Sequence, residues 1–436
     1  MRRIVFWCGL AAMVAVILVR PASAQLLETY FPAFTYGVGG PNPENVQLLR
    51  PDSYRFPGIR VGSFIIRPMV QESVGYDSNV DGVQNGRGSA AIVTDASLSA
   101  ESDWGRNSVR ANLTVDDQRY PGSPTENQTN WTASLGGTYD IGRDQFAGSY
   151  THLNLNETPR DLASLTVIQP VAFQVDDFEL SYTTNTRGRL SFVPNADVLL
   201  YRFDNVPVPG TTVSEEYRNR NVYQGGLTTL FELAPERNLV LLARGTHIQY
   251  VTQVDAIPNR DSNGGTILAG IDYRANGAFR YRALIGYQVR SYVNAQFKTI
   301  SSPIGEASVS WSPTRLTTLT ASLRRGVEDA ADETVGGYVF TGGRIDLDHE
   351  LRRNIFLNAY VQAASADFGA ASGVPPTFAI LQSTGSQTIL NTGASATWAI
   401  NRNLRAGLSY GFTDRFAAAP SRYVESVVLL SVAAGL

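Results

Sequence analysis

The chain has 436 residues, 36 basic and 39 acidic side chains, a formal net charge of −3, 43% hydrophobic residues and one cysteine. A balance this close to neutral excludes a nucleic-acid surface built on surplus Lys and Arg, and a lone cysteine excludes a disulfide framework or a cysteine metal site. Past the first two dozen residues no run approaches the roughly 20 apolar residues of a membrane helix, which excludes a helical inner-membrane protein.

Met1 to Ala24 reads as a secretory signal, with Arg2 and Arg3 in front, an apolar run from Ile4 to Val19, and Ala22-Ser23-Ala24 as the small-residue cleavage site. A retained membrane helix fits less well, because the apolar run spans only about 16 residues before Arg20-Pro21. Cys8 lies inside this segment and away from the cleavage site, so the mature chain is expected to carry neither a thiol nor an acylated first residue. Gln25 to Arg60 is rich in Pro, Gly and Asn without a sustained period. It is expected to be an irregular leader, either a periplasmic tail or a small plug in the mouth of the domain that follows.

From residue 61 to 436 one rhythm repeats. Alternating apolar and polar runs are joined by tight turns at Asp103–Arg106, Ile141–Asp144, Asn185–Gly188, Pro235–Asn238, Ala275–Gly277, Pro313–Arg315, Arg352–Asn354 and Asn401–Asn403. In one run Val109, Ala111, Leu113 and Val115 share a face and Arg110, Asn112, Thr114 and Asp116 the other; in another, Phe279, Tyr281, Ala283, Ile285 and Tyr287 oppose Arg280, Arg282, Gly286 and Gln288. Side chains of a strand point alternately to opposite faces, so each run has an apolar side and a polar side. A soluble sandwich would bury the apolar side in a core, whereas a membrane barrel turns it to lipid and lines a wet lumen with the other. The alternation persists for about 9 to 12 residues, longer than the usual soluble strand. Trp131, Tyr139, Phe146, Tyr150, Phe279, Tyr281, Tyr410 and Phe412 sit towards strand ends, as interfacial girdles require. Both favour a transmembrane antiparallel up-and-down β-barrel.

The short turns alternate with longer polar links: Asp77–Gly88, Tyr120–Asn127, Glu157–Ala172, Asp204–Arg218, Thr252–Asn263, Asn294–Ser301, Val327–Val335, Asp367–Gly385 and Asp414–Pro420. Barrels of this kind put short turns in the periplasm and long loops outside, which predicts about 18 strands with both ends periplasmic. Val193-Pro194 and Arg67-Pro68 are expected to interrupt two strands, and loss of one hairpin would leave about 16. The last strand is expected over Arg422–Leu436, with Val424, Val428, Leu430, Val432 and Leu436 on one parity.

Pro57-Gly58-Ile59-Arg60-Val61-Gly62-Ser63-Phe64, followed by Gly75-Tyr76-Asp77-Ser78-Asn79-Val80, resembles the opening of the putative beta-barrel porin 2 family of alphaproteobacterial outer-membrane proteins. The resemblance implies an outer-membrane barrel, and an association of some members with exopolysaccharide production or export; it carries over no catalytic residue. The glycines suit bends at the ends of the first strand, and Asp77 and Asn79 suit an Asx-type turn. Asp77, Asn79 and Asp81 have the spacing of a calcium loop, but no bidentate Glu follows at the right distance.

Catalysis is not expected. His152, His247 and His349 fall in different strands, none is beside a nucleophile signature, and Gly-x-Ser-x-Gly is absent. The chain also lacks the large plug of an energy-coupled receptor and the heptads of a helical export channel, and it calls for no cofactor or metal. A barrel of 16 to 18 strands leaves an aqueous channel. Arg110, Arg280, Arg282, Arg290, Arg324 and Arg405, with Asp95, Asp116, Asp140, Asp177, Glu179 and Asp272, are the candidate pore-lining groups, either a transverse field acting on solutes or pairs that hold the wall. Glu157–Ala172 and Asp367–Gly385 are the loops long enough to fold inward. The expected function is passive passage of small hydrophilic solutes, saccharides among them, or an accessory role in exopolysaccharide export. Expected partners are outer-membrane lipid and lipopolysaccharide, the barrel assembly machinery during biogenesis, and the solutes themselves. A homo-oligomer is left open.

Overall fold

A strand with one face in lipid must pair along both edges, because the bilayer offers nothing to an unpaired N–H or C=O. In the computed structural model this chain meets that demand by closing on itself. Described are residues 56–436 except 165–168, 187, 209–210, 254–257, 277, 333–334, 369–385 and 418–420, so the signal and most of the leader lie outside the described residues.

The 18 strands of the barrel follow one another as a meander. They are β1 (Phe64–Asp77), β2 (Ser89–Ser102), β3 (Ser108–Arg119), β4 (Gln128–Ile141), β5 (Asp144–Glu157), β6 (Val171–Asn185), β7 (Leu190–Phe203), β8 (Arg220–Ala234) and β9 (Arg237–Tyr250). The second half comprises β10 (Ser262–Asn276), β11 (Phe279–Tyr292), β12 (Ile300–Thr314), β13 (Thr317–Glu328), β14 (Tyr338–Arg352), β15 (Ile355–Asp367), β16 (Gln387–Ala399), β17 (Leu404–Phe416) and β18 (Tyr423–Gly435). Each pairs antiparallel with the next, and β18 pairs with β1 from Met69 opposite Gly435 to Asp77 opposite Val427. The short turns lie at one end and the long links at the other, as the sequence predicts.

Parity fixes the faces. Large apolar side chains that remain exposed, such as Val70, Leu135, Leu241, Ile285, Leu323 and Val428, share the outer parity, and the opposite parity faces the lumen. The outer face carries an aromatic girdle near the short turns. Tyr139 stands opposite Phe146, Phe279 opposite Trp311, and Tyr273 stacks on Tyr281 at 4.9 Å.

The two prolines do not interrupt their strands. Pro68 faces the edge where β18 has just ended and accepts from the Leu436 amide at 3.2 Å, so its missing N–H falls beyond the ladder. Pro194 keeps its place opposite Leu227 of β8, and the cost appears on the other edge, where pairing with β6 skips from Asn195 to Phe192. Below the end of β18, Ile59–Val61 doubles back through Gly62, at φ +60°, and covers the exposed edge of β1 by pairing Ile59 with Ile66. Arg60 holds this hairpin to Asp103 of the first short turn at 2.5 Å, and Phe64 meets Trp104 edge to face at 5.6 Å.

Candidate functional site: the lumen and its crossing segment

The eleven charged groups proposed as pore-lining, Arg110, Asp116, Asp140, Asp177, Glu179, Asp272, Arg280, Arg282, Arg290, Arg324 and Arg405, all sit on the lumen-facing parity, as does Asp95. They do not form one site. Many are paired along the wall: Arg110 with Glu101, Asp272 with Arg274 at 2.9 Å, Arg282 with Glu306 at 3.1 Å, Arg324 with Glu328 and Arg290 with Asp329. Asp140 accepts from Gln145 Nε2 at 2.9 Å, and Arg405 lies 4.1 Å over the ring of Phe56. Asp177 and Glu179 stand on β6 beside Asp197 of β7.

What organises the lumen is the link after β5. Its described part, Thr158–Ser164, leaves β5 and crosses to the far wall. Leu162 and Ala163 bury against Phe340, Ala364, Ala366 and Ile389 of β14, β15 and β16, which stand about half the circumference away. The segment is stiffened from within, since the Asp161 carboxylate accepts from the Thr158 amide at 2.6 Å and from its hydroxyl at 3.1 Å. It is tied down along its length. Arg415 donates to Pro159 O and, at 2.6 Å, to Gln387 Oε1, which also accepts from the Ala163 amide at 3.2 Å; the Tyr423 hydroxyl donates to Arg160 O at 3.3 Å.

Arg160 is the rivet. Its Nη1 lies 3.2 Å from Asp77 Oδ2 of β1 and 3.1 Å from Glu425 Oε1 of β18, and both carboxylates are 1% exposed. Burial works against its charge, but Tyr120, Glu425 and Asp77 outweigh burial and hold its pKa well above the usual arginine value. The crossing segment is therefore pinned to the seam where the barrel closes.

This gives the Gly75–Val80 stretch a physical role. Asp77 Oδ1 accepts from the Asn79 amide at 2.9 Å in an Asx turn while Oδ2 holds Arg160, so one carboxylate shapes the loop and secures the crossing. Asn79 Nδ2 spans to Val83 O at 2.9 Å and Val424 O at 3.1 Å. The calcium reading of Asp77, Asn79 and Asp81 is replaced by these contacts, because Asp81 is bound to Arg87 at 2.8 Å. Among the described residues no cluster of His, Cys, Asp and Glu could hold a metal. Gly75 itself is required by closure: a Cβ there would stand 1.8 Å from Val428 O.

On the β5 to β14 side of the crossing segment lies a partly open chamber of about 240 Å³. One wall is apolar and aromatic, with Phe173, Leu199, Val222 and Ile248 in a cluster that includes Leu153, Leu155 and Val175. The remainder carries Arg218, Arg220, Arg244, Arg290 and Arg324 with Glu157, Asp161, Glu328 and Asp329. Arg218 bridges Glu157 at 2.5 Å and Glu215 at 3.4 Å, and Arg220 meets Asp329 Oδ2 at 3.0 Å while Arg290 meets the other oxygen. Burial pushes the Asp329 carboxyl up, yet Arg290 and Arg220 prevail and hold it down at about 2.

Of the chamber charges, sequence reasoning singled out Arg290 and Arg324 alone. Arg220 and Arg244 were legible from strand parity. Arg218, Asp161 and Asp329 lie in links, where no period predicts direction. The second long candidate, Asp367–Gly385, lies almost wholly outside the described residues.

The histidines face outward. His152 Nδ1 lies 2.8 Å from Asp176 Oδ1 with Trp131 packed at 4.8 Å, and its neighbours across the two ladders are Ala133 and Asp176, neither of which supplies a hydroxyl or thiol. His247 Nδ1 contacts Asn263 at 2.9 Å, and His349 contacts Thr317 at 3.0 Å.

The model of the family described as putative beta-barrel porin 2 matches residues 50–435. No curated protein matches the sequence. Among solved structures, the siderophore receptor PiuA from Acinetobacter baumannii aligns over 87% of this chain and 82% of its own, with TM-score 0.47 and 10% identity. OccK2 (OpdF) from Pseudomonas aeruginosa aligns over 86% and 98%, with TM-score 0.45 and 10% identity. The outer membrane protein opdK from Pseudomonas aeruginosa aligns over 85% and 99%, with TM-score 0.41 and 10% identity.

Proposed function

Because the chain belongs to the putative beta-barrel porin 2 family and closes into an 18-stranded barrel, its place is the outer membrane, and we propose that it provides there a passive path for small hydrophilic solutes, saccharides among them. The observation that supports this reading is the lumen-facing parity itself. Arginines, carboxylates, Ser, Thr, Asn and Gln line the inside of a closed wall whose outside is apolar, which keeps water in the lumen and lipid out. The paired charges give a polar wall without a single dominant sign, as suits general diffusion, and the crossing segment narrows the path without needing an energy source. The reading is of a pore and not of an enzyme: the His152–Asp176 pair faces outward with no nucleophile across either ladder. The outer aromatic girdle suits direct contact with outer-membrane lipid and lipopolysaccharide.

The test is conductance of the purified, folded protein in planar bilayers in KCl, together with swelling of liposomes in glucose. Stepwise ohmic conductance is expected. A folded barrel that inserts yet passes no ions refutes the pore.

A further inference from the structure

We propose that the chamber beside the crossing segment binds small organic monoanions that carry a flat apolar body, and so gives the pore a preferred solute class. The inference rests on the pore reading and names what that pore favours.

Three features of the chamber point the same way. An apolar wall inside a wet lumen is unusual, because inward positions of such barrels are normally polar. Phe173, Leu199, Val222 and Ile248 turn apolar surface to the chamber, and a solute that is hydrophilic throughout gains nothing from them. Beside them, Arg220 and Arg290 share the single carboxylate of Asp329, which leaves this spot with an excess of one positive charge. Arg220 Nη2 and Arg290 Nη1 make no hydrogen bond among the described residues. A second carboxylate is the complement of that fork, since arginine pairs carboxylates through parallel N–H donors in a plane.

The third feature disfavours neutral sugars. A saccharide is held by stacking on an open aromatic face, but three of the five rings that line the chamber are already covered. Arg218 lies 4.0 Å over Phe203, Arg220 lies 4.1 Å over Tyr201 and Arg324 lies 5.4 Å over Phe340. Each stack also fixes a guanidinium in position, so its donors are preorganised for an anion. Neutral sugars would pass this chamber as unselected solutes, and cations would be repelled at the Arg220–Arg290 spot.

Isothermal titration calorimetry on the folded full-length protein tests this, with benzoate as probe, benzamide to remove the charge and acetate to remove the apolar body. Benzoate is expected to bind at least about tenfold more tightly than either control, the ratio that one charge-assisted contact supplies. Arg220→Gln with Arg290→Gln is expected to bring benzoate to the level of benzamide, in a barrel that still shows the gel shift on heating of a folded outer-membrane protein. Equal binding of benzoate and benzamide, or full benzoate binding by the folded double variant, overturns the proposal. KCl conductance of the wild type is read separately. A conducting barrel without benzoate preference removes the selectivity and leaves the pore, whereas benzoate binding without conductance removes the pore and leaves the site.

Discussion

Replacing Arg160 by Met tests the crossing segment most directly, because it removes the guanidinium while keeping much of the side chain's volume. Asp77 and Glu425 would then face each other as buried carboxylates, and stripping one partner from a buried ion pair costs about 3–5 kcal/mol. The remaining polar anchors are the Arg415 bond to Pro159 O, the Tyr423 bond to Arg160 O and the Gln387 bond to the Ala163 amide. At about 1 kcal/mol each they supply about 3 kcal/mol, and burial of Leu162 adds about 2 kcal/mol, so the loss is comparable with what is left and the segment should leave its seat for part of the time. The barrel should survive, since its ladders do not pass through Arg160. In single-channel recordings the variant is therefore expected to show larger conductance steps with added flicker, while retaining its gel shift on heating. Adding Asp77→Asn and Glu425→Gln removes the stranded carboxylates and should bring the conductance back towards the wild-type step, because the penalty that unseats the segment is gone. Wild-type step size and quiet traces in folded Arg160→Met would refute the reasoning.

Three further outcomes follow from geometry. Gly75→Ala places a Cβ against the Val428 carbonyl, and since backbone cannot yield as a flexible side chain does, closure should weaken by about 3 kcal/mol, read as a lower urea midpoint and less heat-modifiable protein. Ile285→Arg, at a site 76% exposed midway along β11, should cost about 2–4 kcal/mol in folding into bilayers, whereas the inward Gln288→Arg should cost far less and shift ion selectivity instead. Glu126, in the link after β3, is pushed up to about 7 by burial, with Arg160 and Arg87 opposing and Asp81 adding to the shift. A raised carboxyl pKa means that the folded loop holds its proton more tightly than the unfolded one, so the penalty is absent below the ordinary value of 4.5 and grows as pH rises to about 7. Protease cleavage of that loop should accelerate across this window, and Glu126→Gln should abolish the pH dependence.

The fold was legible because its rules are local. Alternation is a period of two, a turn is a few residues, and neither needs knowledge of distant parts of the chain. That is why the described strands and connections fall within a few residues of the sequence expectation, and why every charged group chosen by parity falls on the inward-facing parity. The two prolines misled for an instructive reason: whether a missing N–H breaks a strand depends on which edge it faces, and that is known only once the neighbours are. The site depends on such knowledge throughout. Arg160 meets Asp77 and Glu425 across 83 and 265 residues of sequence, and no periodicity encodes which carboxylate a loop arginine will find. The sequence nonetheless carried a trace of it. Asp77 stands in a Gly-Tyr-Asp-x-Asn stretch whose glycine is demanded by close backbone approach at the seam and whose Asn side chain ties the loop to Val83 O and to Val424 O of β18. An Asx turn uses one oxygen of Asp77, and the other is the oxygen that holds the crossing segment. The stretch that closes the barrel is thus also the one that anchors the crossing segment to the seam.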